Sequence, residues 1–193
     1  ALVGQGVELG DAHEELKAFL EKGNIPAART LLGLSALPSD YPLTMGMLGM
    51  HGNLSCNINT NQADVIIAIG MRFSDRVTGE PSTYAKQAKV IHLDIDRAEI
   101  DKCVKADIPV IGDCKETLPL ITALMEKGNH KEWIDSFADY DKLEYERVID
   151  KALNTKEGPI KMGEVARCVS EATGNSALLV TDVGQNQMFA CRY

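Results

Sequence analysis

The sequence has no surplus of basic residues and no long apolar run. It contains 20 Lys and Arg against 28 Asp and Glu, which gives a formal net charge of −8. Such a chain has little with which to neutralise phosphates, so we expect neither nucleic acid nor a membrane among its partners. No apolar run approaches the roughly 20 residues of a transmembrane helix. No basic segment followed by an apolar one indicates a secretory signal.

Paired cysteines are also absent. The five cysteines are odd in number and form no Cys-x-x-Cys pair. This argues against a disulfide framework or a zinc site and favours a reducing, cytoplasmic location. We expect each of them to be a small packing residue, with no metal ligand and no catalytic residue among them. They are Cys56, Cys103, Cys114, Cys168 and Cys191.

The overall composition is that of a folded domain. The 193 residues are 45% hydrophobic and 25% charged, which suits one domain with a core and part of a second. Leu2-Val3 resembles the tail of a strand, and residues 178–183 resemble a strand that runs into Gly184. We therefore expect a fragment of a longer enzyme.

Apolar runs alternate with helical segments over residues 1–128. The runs end near Val3, Thr30, Ile69, Asp94 and Ile111 and are typical of strands buried on both faces. Helical patterns follow over residues 11–22, from Asp96 onward and over residues 114–125. We assign no element to residues 34–61, which are rich in Gly, Pro, Asn and Met. The alternation predicts an α/β fold: a Rossmann-like (DHS-like), mostly parallel six-stranded sheet, with helices on both faces and a truncated first strand.

The pattern changes after residue 128. Residues 129–158 are charged and helical and contain no strand pattern, and Gly158-Pro159 ends them. An amphipathic helix over residues 162–173 and the last apolar run follow. We therefore expect a central domain over residues 1–128, a helical linker over 129–158 and the truncated start of another domain over 159–193.

Glycines and acidic residues at the predicted strand ends suggest a nucleotide site. Ligands of an open parallel sheet bind at the carboxyl ends of its strands, where glycines let the backbone approach and an acidic side chain accepts from ribose hydroxyls. However, Gly4-Gln5-Gly6 lacks the third glycine of the dinucleotide fingerprint. From these residues alone, a dinucleotide and no nucleotide both remain open.

Four motifs resemble a known family. They are the segments Met45-Gly46-Met47-Leu48-Gly49-Met50-His51-Gly52, Gly70-Met71-Arg72-Phe73-Ser74-Asp75-Arg76-Val77-Thr78-Gly79, His92-Leu93-Asp94-Ile95-Asp96 and Thr181-Asp182-Val183-Gly184-Gln185-Asn186-Gln187-Met188. On these residues the sequence resembles the acetolactate (acetohydroxyacid) synthases, thiamine-diphosphate enzymes of isoleucine and valine biosynthesis. The resemblance covers nearly the whole chain and is weakest in the linker.

This resemblance implies most of the middle domain of a three-domain transferase. In that family the middle domain binds FAD in an extended form. Thiamine diphosphate with Mg²⁺ condenses two pyruvates, or pyruvate and 2-ketobutyrate, with loss of CO₂. The Mg²⁺ motif and the activating glutamate would lie outside this chain, so we expect no activity from it alone. The implied partners are the remaining domains, further copies in a homodimer or higher oligomer, and a small regulatory subunit.

The resemblance also implies the cofactor-binding residues. Those for FAD follow successive strands and are Gly4 and Gly6, Thr30 and Leu31, Leu48, Gly49, Met50 and His51, Gly70, Arg72, Asp75, Arg76 and Val77, Asp94 and Ile95, and Asp113. Those for thiamine diphosphate are Gly184, Gln185 and Asn186, where backbone N–H groups and side-chain amides can donate to phosphate.

Ordinary structural roles compete with several of these assignments. His51 could cap a turn, and Arg72 and Arg76 could form surface ion pairs with Asp75 or Glu80. Asp96 is better explained as a helix cap than as a ligand, because Asp96-Arg97-Ala98-Glu99 has the form of a capping box.

Two residues depart from the family pattern. Gln5 stands where many relatives have a third glycine, and Ser74 stands where an aspartate is usual. These departures keep a second interpretation open, in which the chain is an architectural, interdomain module of a related thiamine-diphosphate enzyme and binds another nucleotide or none.

Overall fold

The computed structural model describes all 193 residues, in two compact units, Ala1–Ala138 and Asp139–Tyr193. The first unit contains one sheet and most of the helices. Its strands are β1 (Leu2–Val3), β2 (Ala27–Arg29), β3 (Thr44–Met47), β4 (Val65–Ile69), β5 (Lys89–Asp94) and β6 (Ile108–Ile111). Its helices are α1 (Gly6–Leu9), α2 (His13–Gly23), α3 (Leu54–Gln62), α4 (Asp75–Thr78) and α5 (Cys114–Leu124).

The six strands form one sheet in the order β3-β2-β1-β4-β5-β6. Every pairing is parallel, so the prediction of a six-stranded parallel sheet is confirmed. Val3 pairs with both Arg29 and Ile69, which places β1 between β2 and β4. The chain adds strands outward from β1 and then returns to its other side at β4. This reversal is the point at which doubly wound sheets bind ligands.

Alternate side chains of the strands enter two separate cores. Val3 and Ile69 belong to one cluster, and Leu2 and Ala68 belong to the other. Because successive residues of a strand point to opposite faces, the two clusters show that both faces of the sheet are covered. The first cluster includes side chains of α2 and α5, and the second includes Cys56 of α3.

Residues 34–61 contain two elements that we did not predict, β3 and α3. Glycine interrupts β3, because Gly46 has φ +122°, and its pairing with β2 shifts register between Ala27 and Ala28. The buried face of α3 is largely polar, since Ser55 and Asn59 lie in the interior. Neither element therefore shows the apolar periodicity on which sequence prediction depends.

The helix expected from Asp96 is a single 3₁₀ turn over Arg97–Glu99. Asp96 caps it as expected, and its Oδ1 accepts from the Ala98 N–H at 2.9 Å. The turn ends because the next residue, Ile100, is extended, with φ −69° and ψ +132°. A left-handed residue, Asp101 with φ +63°, follows it, and an α-helix continues through neither conformation.

Helix α6 (Lys131–Glu144) crosses the boundary between the units. A π-helical turn over Tyr145–Ile149 follows it, and then come α7 (Asp150–Leu153), α8 (Met162–Ala172) and α9 (Gln185–Arg192). No helix in the structure is both long and apolar enough to span a bilayer.

The strand expected over residues 178–183 does not form. Leu178 and Val180 are 96% and 95% exposed, and the segment has no neighbouring strand with which to form a ladder. An apolar run becomes a strand only where a partner satisfies its N–H and C=O groups, so this prediction was wrong for the chain as it stands.

We expect amide hydrogen exchange to separate this segment from the sheet. The amides of Ile66–Ile69 lie between β1 and β5, and opening them disrupts the core. They should exchange at least about 100-fold more slowly than those of residues 178–183, because local opening of an unpaired segment costs almost nothing. Equal protection of the two segments, measured by mass spectrometry, would contradict this expectation.

Candidate functional site

A cavity of about 460 Å³ opens at the carboxyl ends of the strands in the first unit. Residues that follow β1, β2, β4, β5 and β6 line it, so it spans the point where the strand order reverses. Its volume lies within the roughly 300–1,000 Å³ that is usual for small-molecule sites. The topology of the sheet alone therefore selects this place as the candidate binding site.

Ten of the proposed FAD residues line this cavity. They come from five strand ends that are distant in sequence. They are Gly6, Thr30, Leu31, Gly70, Arg72, Arg76, Val77, Asp94, Ile95 and Asp113.

The other proposed residues lie outside the cavity lining. Gly4 lies beneath it, and Asp75 precedes Arg76 in α4. Leu48, Gly49, Met50 and His51 form a loop after β3 that contacts α4 through a hydrogen bond from the Met50 N–H to the Arg76 carbonyl, at 2.8 Å. Gly184, Gln185 and Asn186 belong to the second unit and form the start of α9.

The lining also contains residues that we did not propose as ligands. Two of them, Leu9 and Leu32, have exposed apolar side chains, as does the proposed Ile95. Leu32 directly follows the proposed Thr30 and Leu31 and could have been found by the same strand-end rule. Leu9 could not, because α1 has only four residues and leaves no periodic signal. The remaining additions are Gln5, Gly10, Met71, Ser74, Gly112 and Cys114.

Two loops cross at the floor of the site with no side chain between them. A Cβ placed on Gly4 would lie 2.4 Å from the Gly70 carbonyl oxygen, and one on Gly6 would lie 2.6 Å from the Gly70 Cα. The Gly6 N–H donates to the same carbonyl at 2.8 Å. Gly70 has φ +56°, a conformation that residues with a Cβ rarely adopt. The crossing itself therefore requires all three glycines.

The two cavity arginines differ in their partners. Arg76 Nη1 donates to Asp75 Oδ2 at 2.8 Å, and both side chains are about 70% exposed, at 70% and 72%. Arg72 lines the cavity, and no carboxylate lies within ion-pair distance of it. The hydrogen bond from Lys102 to Glu99 and the charge of Glu99 raise the pKa of Lys102, and the positive charge of nearby Arg72 opposes this shift. The Arg72 guanidinium thus keeps its donors available to an anion.

Asp94 presents a carboxylate that is only partly used by the protein. Its Oδ1 accepts from the Asp96 N–H at 2.8 Å, and its Oδ2 lies 3.9 Å from Nε2 of the fully buried His92. The same His92 nitrogen lies 2.9 Å from the Met71 carbonyl, so as a donor it serves that oxygen. Asp94 Oδ2 is left to accept from a ligand hydroxyl.

Asp113 has a structural role that needs no ligand. Its Oδ1 accepts from the Lys115 N–H at 2.8 Å and caps α5. A Cβ on Gly10 would lie 2.7 Å from this oxygen, so α1 approaches the cap closely. The carboxylate is therefore held at the cavity wall by the start of a helix.

The glycines of the 45–52 motif permit tight backbone turns. Gly46 and Gly49 have φ +122° and +99°, and a Cβ on Gly52 would lie 2.3 Å from the Met47 carbonyl oxygen. The Met47 N–H donates to Asn53 Oδ1 at 2.8 Å. The motif is therefore a folded turn with specific hydrogen bonds and does not serve as hydrophobic filler.

Comparison with known proteins identifies relatives along the whole chain. Residues 1–121 match the family described as "Thiamine pyrophosphate enzyme, central domain". The probable acetolactate synthase large subunit of Methanocaldococcus jannaschii is 41% identical over 100% of this chain and 33% of its own length. The acetolactate synthase large subunit of Corynebacterium glutamicum is 39% identical over 99% of this chain and 31% of its own length. The chain thus spans about a third of the length of the curated relatives that it matches.

A pair of glycine substitutions tests the loop crossing. Gly70 and Gly79 have similar φ values, +56° and +61°, but only Gly70 has atoms within 4 Å of an added Cβ. Gly79→Ala should cost about 1–3 kcal/mol from backbone strain alone, because Gly79 combines its positive φ with ψ −117°, a conformation that residues with a Cβ rarely adopt. Gly70→Ala should cost a further 1–3 kcal/mol or so, because the contact with Gly6 must open. If urea denaturation shows that both variants lose the same free energy of unfolding, the loop crossing does not require a glycine at position 70.

The thiol at the cavity wall should be unreactive. Burial, followed by the charges of Asp113 and Asp94, raises the pKa of Cys114 to about 11. At pH 8 only about one thiol in a thousand would then be the reactive thiolate. Peptide mass spectrometry after iodoacetamide treatment should show the exposed Cys103 and Cys168 modified long before Cys114. Comparable rates would contradict the burial of this thiol.

Proposed function

The chain belongs to the thiamine pyrophosphate enzymes and contains their central domain, and from this premise we propose that its first unit binds FAD within an acetolactate synthase. The observation that carries the proposal is the cavity at the strand-order reversal, where the Arg72 guanidinium and the Asp94 carboxylate line one space. Those two groups match the two polar parts of a dinucleotide, its pyrophosphate and its ribose hydroxyls.

The residues of the cavity fit such a ligand in chemical type. Arg72 offers forked donors that suit a pyrophosphate, and the crossing of Gly4 and Gly6 with Gly70 keeps the floor free of side chains. Asp94 Oδ2 can accept from a hydroxyl. Exposed Leu9, Leu32 and Ile95 provide apolar contacts for flat rings. An extended FAD would continue past this cavity along α4 toward the Leu48–His51 loop.

We assign the rest of the chain by its family. Residues 1–128 would be the central domain, 129–158 the helical linker and 159–193 the start of the thiamine-diphosphate domain. Gly184 precedes α9 with φ +150°, and the exposed amides of Gln185 and Asn186 begin that helix. They suit a diphosphate, because the first N–H groups of a helix have no partner within it.

The proposed whole enzyme condenses two 2-ketoacids with loss of CO₂ in the cytoplasm. Thiamine diphosphate, held with Mg²⁺, would supply the carbanion chemistry, and FAD would be structural. The chain offers no catalytic residue for that reaction, so we propose that it is inactive by itself. The named relatives are large subunits, which supports a small regulatory subunit as a further partner. The homodimer or higher oligomer that we propose beside it rests on the family resemblance alone.

One group of observations favours a different function. Gly4, Gly6 and Gly70 are already required by the loop crossing, Arg76 is paired with Asp75, and Asp113 caps α5. These features would be present in an interdomain module that binds another nucleotide or none. Arg72 has no carboxylate partner, and Asp94 Oδ2 accepts no hydrogen bond within the chain, so the two proposals differ most at these residues.

Titration of FAD against the chain and its variants tests the proposal. Arg72→Ala should weaken binding at least about tenfold, since a charge-assisted hydrogen bond contributes about 1.5–3 kcal/mol. Asp94→Asn keeps the acceptor for the Asp96 N–H and should cost less, about 0.5–1.5 kcal/mol. Arg76→Ala should have the smallest effect of the three, because its charge is exposed and already paired.

Arg97→Ala is the matched control, since it removes one exposed positive charge that is absent from the cavity lining. This variant should have the same Kd for FAD as the unaltered chain, measured by flavin fluorescence. If the unaltered chain binds no FAD, the interdomain module is the better description. If Arg72→Ala binds as tightly as Arg97→Ala, Arg72 does not contact the ligand.

A further inference from the structure

The side chain of Asn57 binds both polar groups of a single residue, Gly49. The Gly49 N–H donates to Asn57 Oδ1 at 2.8 Å, and Asn57 Nδ2 donates to the Gly49 carbonyl at 2.9 Å. This pairing requires one donor and one acceptor side by side, which a side-chain amide provides. Asn57 lies one turn into α3, and its own N–H donates to the Asn53 carbonyl, so a helix fixes its position.

Gly49 is also the residue that brings its loop against the cavity. We define the Gly49 loop as Leu48–Gly52. A Cβ on Gly49 would lie 2.6 Å from the Arg76 carbonyl oxygen, and the Met50 N–H donates to that oxygen at 2.8 Å. Arg76 and Val77 line the cavity. The contacts thus run from α3 through Asn57 and Gly49 to α4 and the cavity wall.

We propose that Asn57 is a positioning residue, which holds the Gly49 loop against α4 so that both form one wall for a bound flavin. The flavin part of this inference rests on the proposed function. Asn57 itself does not line the cavity and acts only through Gly49. Because φ at Gly49 is +99°, the loop has little intrinsic preference for this conformation, and the two hydrogen bonds select it.

The variant that tests this is Asn57→Asp, which keeps the shape of the side chain. One carboxylate oxygen still accepts from the Gly49 N–H, but the other faces the Gly49 carbonyl and cannot donate. We expect the Met50 amide to exchange at least tenfold faster in the FAD-free chain, while Ile66–Ile69 remain protected. We also expect the Kd for FAD to rise at least tenfold.

Asn61→Asp is the matched control on the same helix. It adds the same charge and also removes one amide donor bond to a backbone carbonyl, from Asn61 Nδ2 to the Asn57 carbonyl at 3.0 Å. Its Oδ1 bond from the Ala85 N–H can persist. Because Asn61 does not contact the Gly49 loop, this variant should change neither the Met50 exchange rate nor the Kd for FAD.

Acidification provides a readout that a general loss of stability would not give. The carboxyl group that Asn57→Asp introduces can donate to the Gly49 carbonyl once it is protonated. The FAD affinity of this variant should therefore recover toward that of the parent as the pH falls, and that of Asn61→Asp should show no such recovery. Equal Met50 exchange in the two variants would overturn the positioning role.

The two proposals fail in different ways. If the parent binds no FAD, the proposed function fails, and with it the flavin part of this inference. The exchange data on the FAD-free chain still decide whether Asn57 holds the loop, because they require no ligand.

Discussion

The contact on which the site depends is the direct crossing of two backbone loops at the strand-order reversal. Gly4 and Gly6 follow β1, Gly70 follows β4, and the distances leave no space for a Cβ on any of them. This contact lets β1 and β4 end side by side, with the cavity beyond their carboxyl ends. A side chain here would separate the loops and fill the cavity floor. The same three glycines therefore determine both strand packing and access for a ligand.

A second constraint comes from a buried cation that we did not identify from the sequence. Arg29 is 4% exposed at the end of β2, and burial lowers the pKa of its guanidinium. Its Nη1 donates to the carbonyls of Leu34 and Leu37, each at 2.7 Å. These bonds hold the 3₁₀ turn over Leu31–Ala36, whose first residues line the cavity. Carbonyl acceptors thus offset part of the cost of burying this charge.

The sequence was most informative where a continuous apolar run forms a strand that is buried on both faces. Val65–Ile69 and Lys89–Asp94 are continuous runs and were predicted as strands, and the strand-end rule located most of the cavity. Sequence prediction failed where polar residues are buried or bind the backbone. The buried face of α3 includes Ser55 and Asn59, and the role of Asn57 depends on its hydrogen bonds to Gly49, eight positions earlier. The opposite error is a predicted strand that does not form. The apolar run over residues 178–183 was predicted as one, but an apolar pattern does not supply the partner strand that it needs. The ion pair of Arg76 with Asp75 was one of the alternatives that the sequence left open, whereas nothing in the sequence indicated which of the two arginines would have no carboxylate partner.

The fold determines where a ligand binds more strongly than which ligand binds. Any doubly wound sheet with this strand order presents a cleft at the same edge, and its glycines serve the backbone first. Selectivity must then come from the side chains that line the cleft, among them Arg72, which has no carboxylate partner, and Asp94, whose Oδ2 accepts no hydrogen bond from the protein. With a net charge of −8, the protein as a whole repels anions, so attraction of a pyrophosphate requires a local donor. If the cavity holds a dinucleotide, as we propose, that requirement gives Arg72 a larger part in the choice of cofactor than the three glycines.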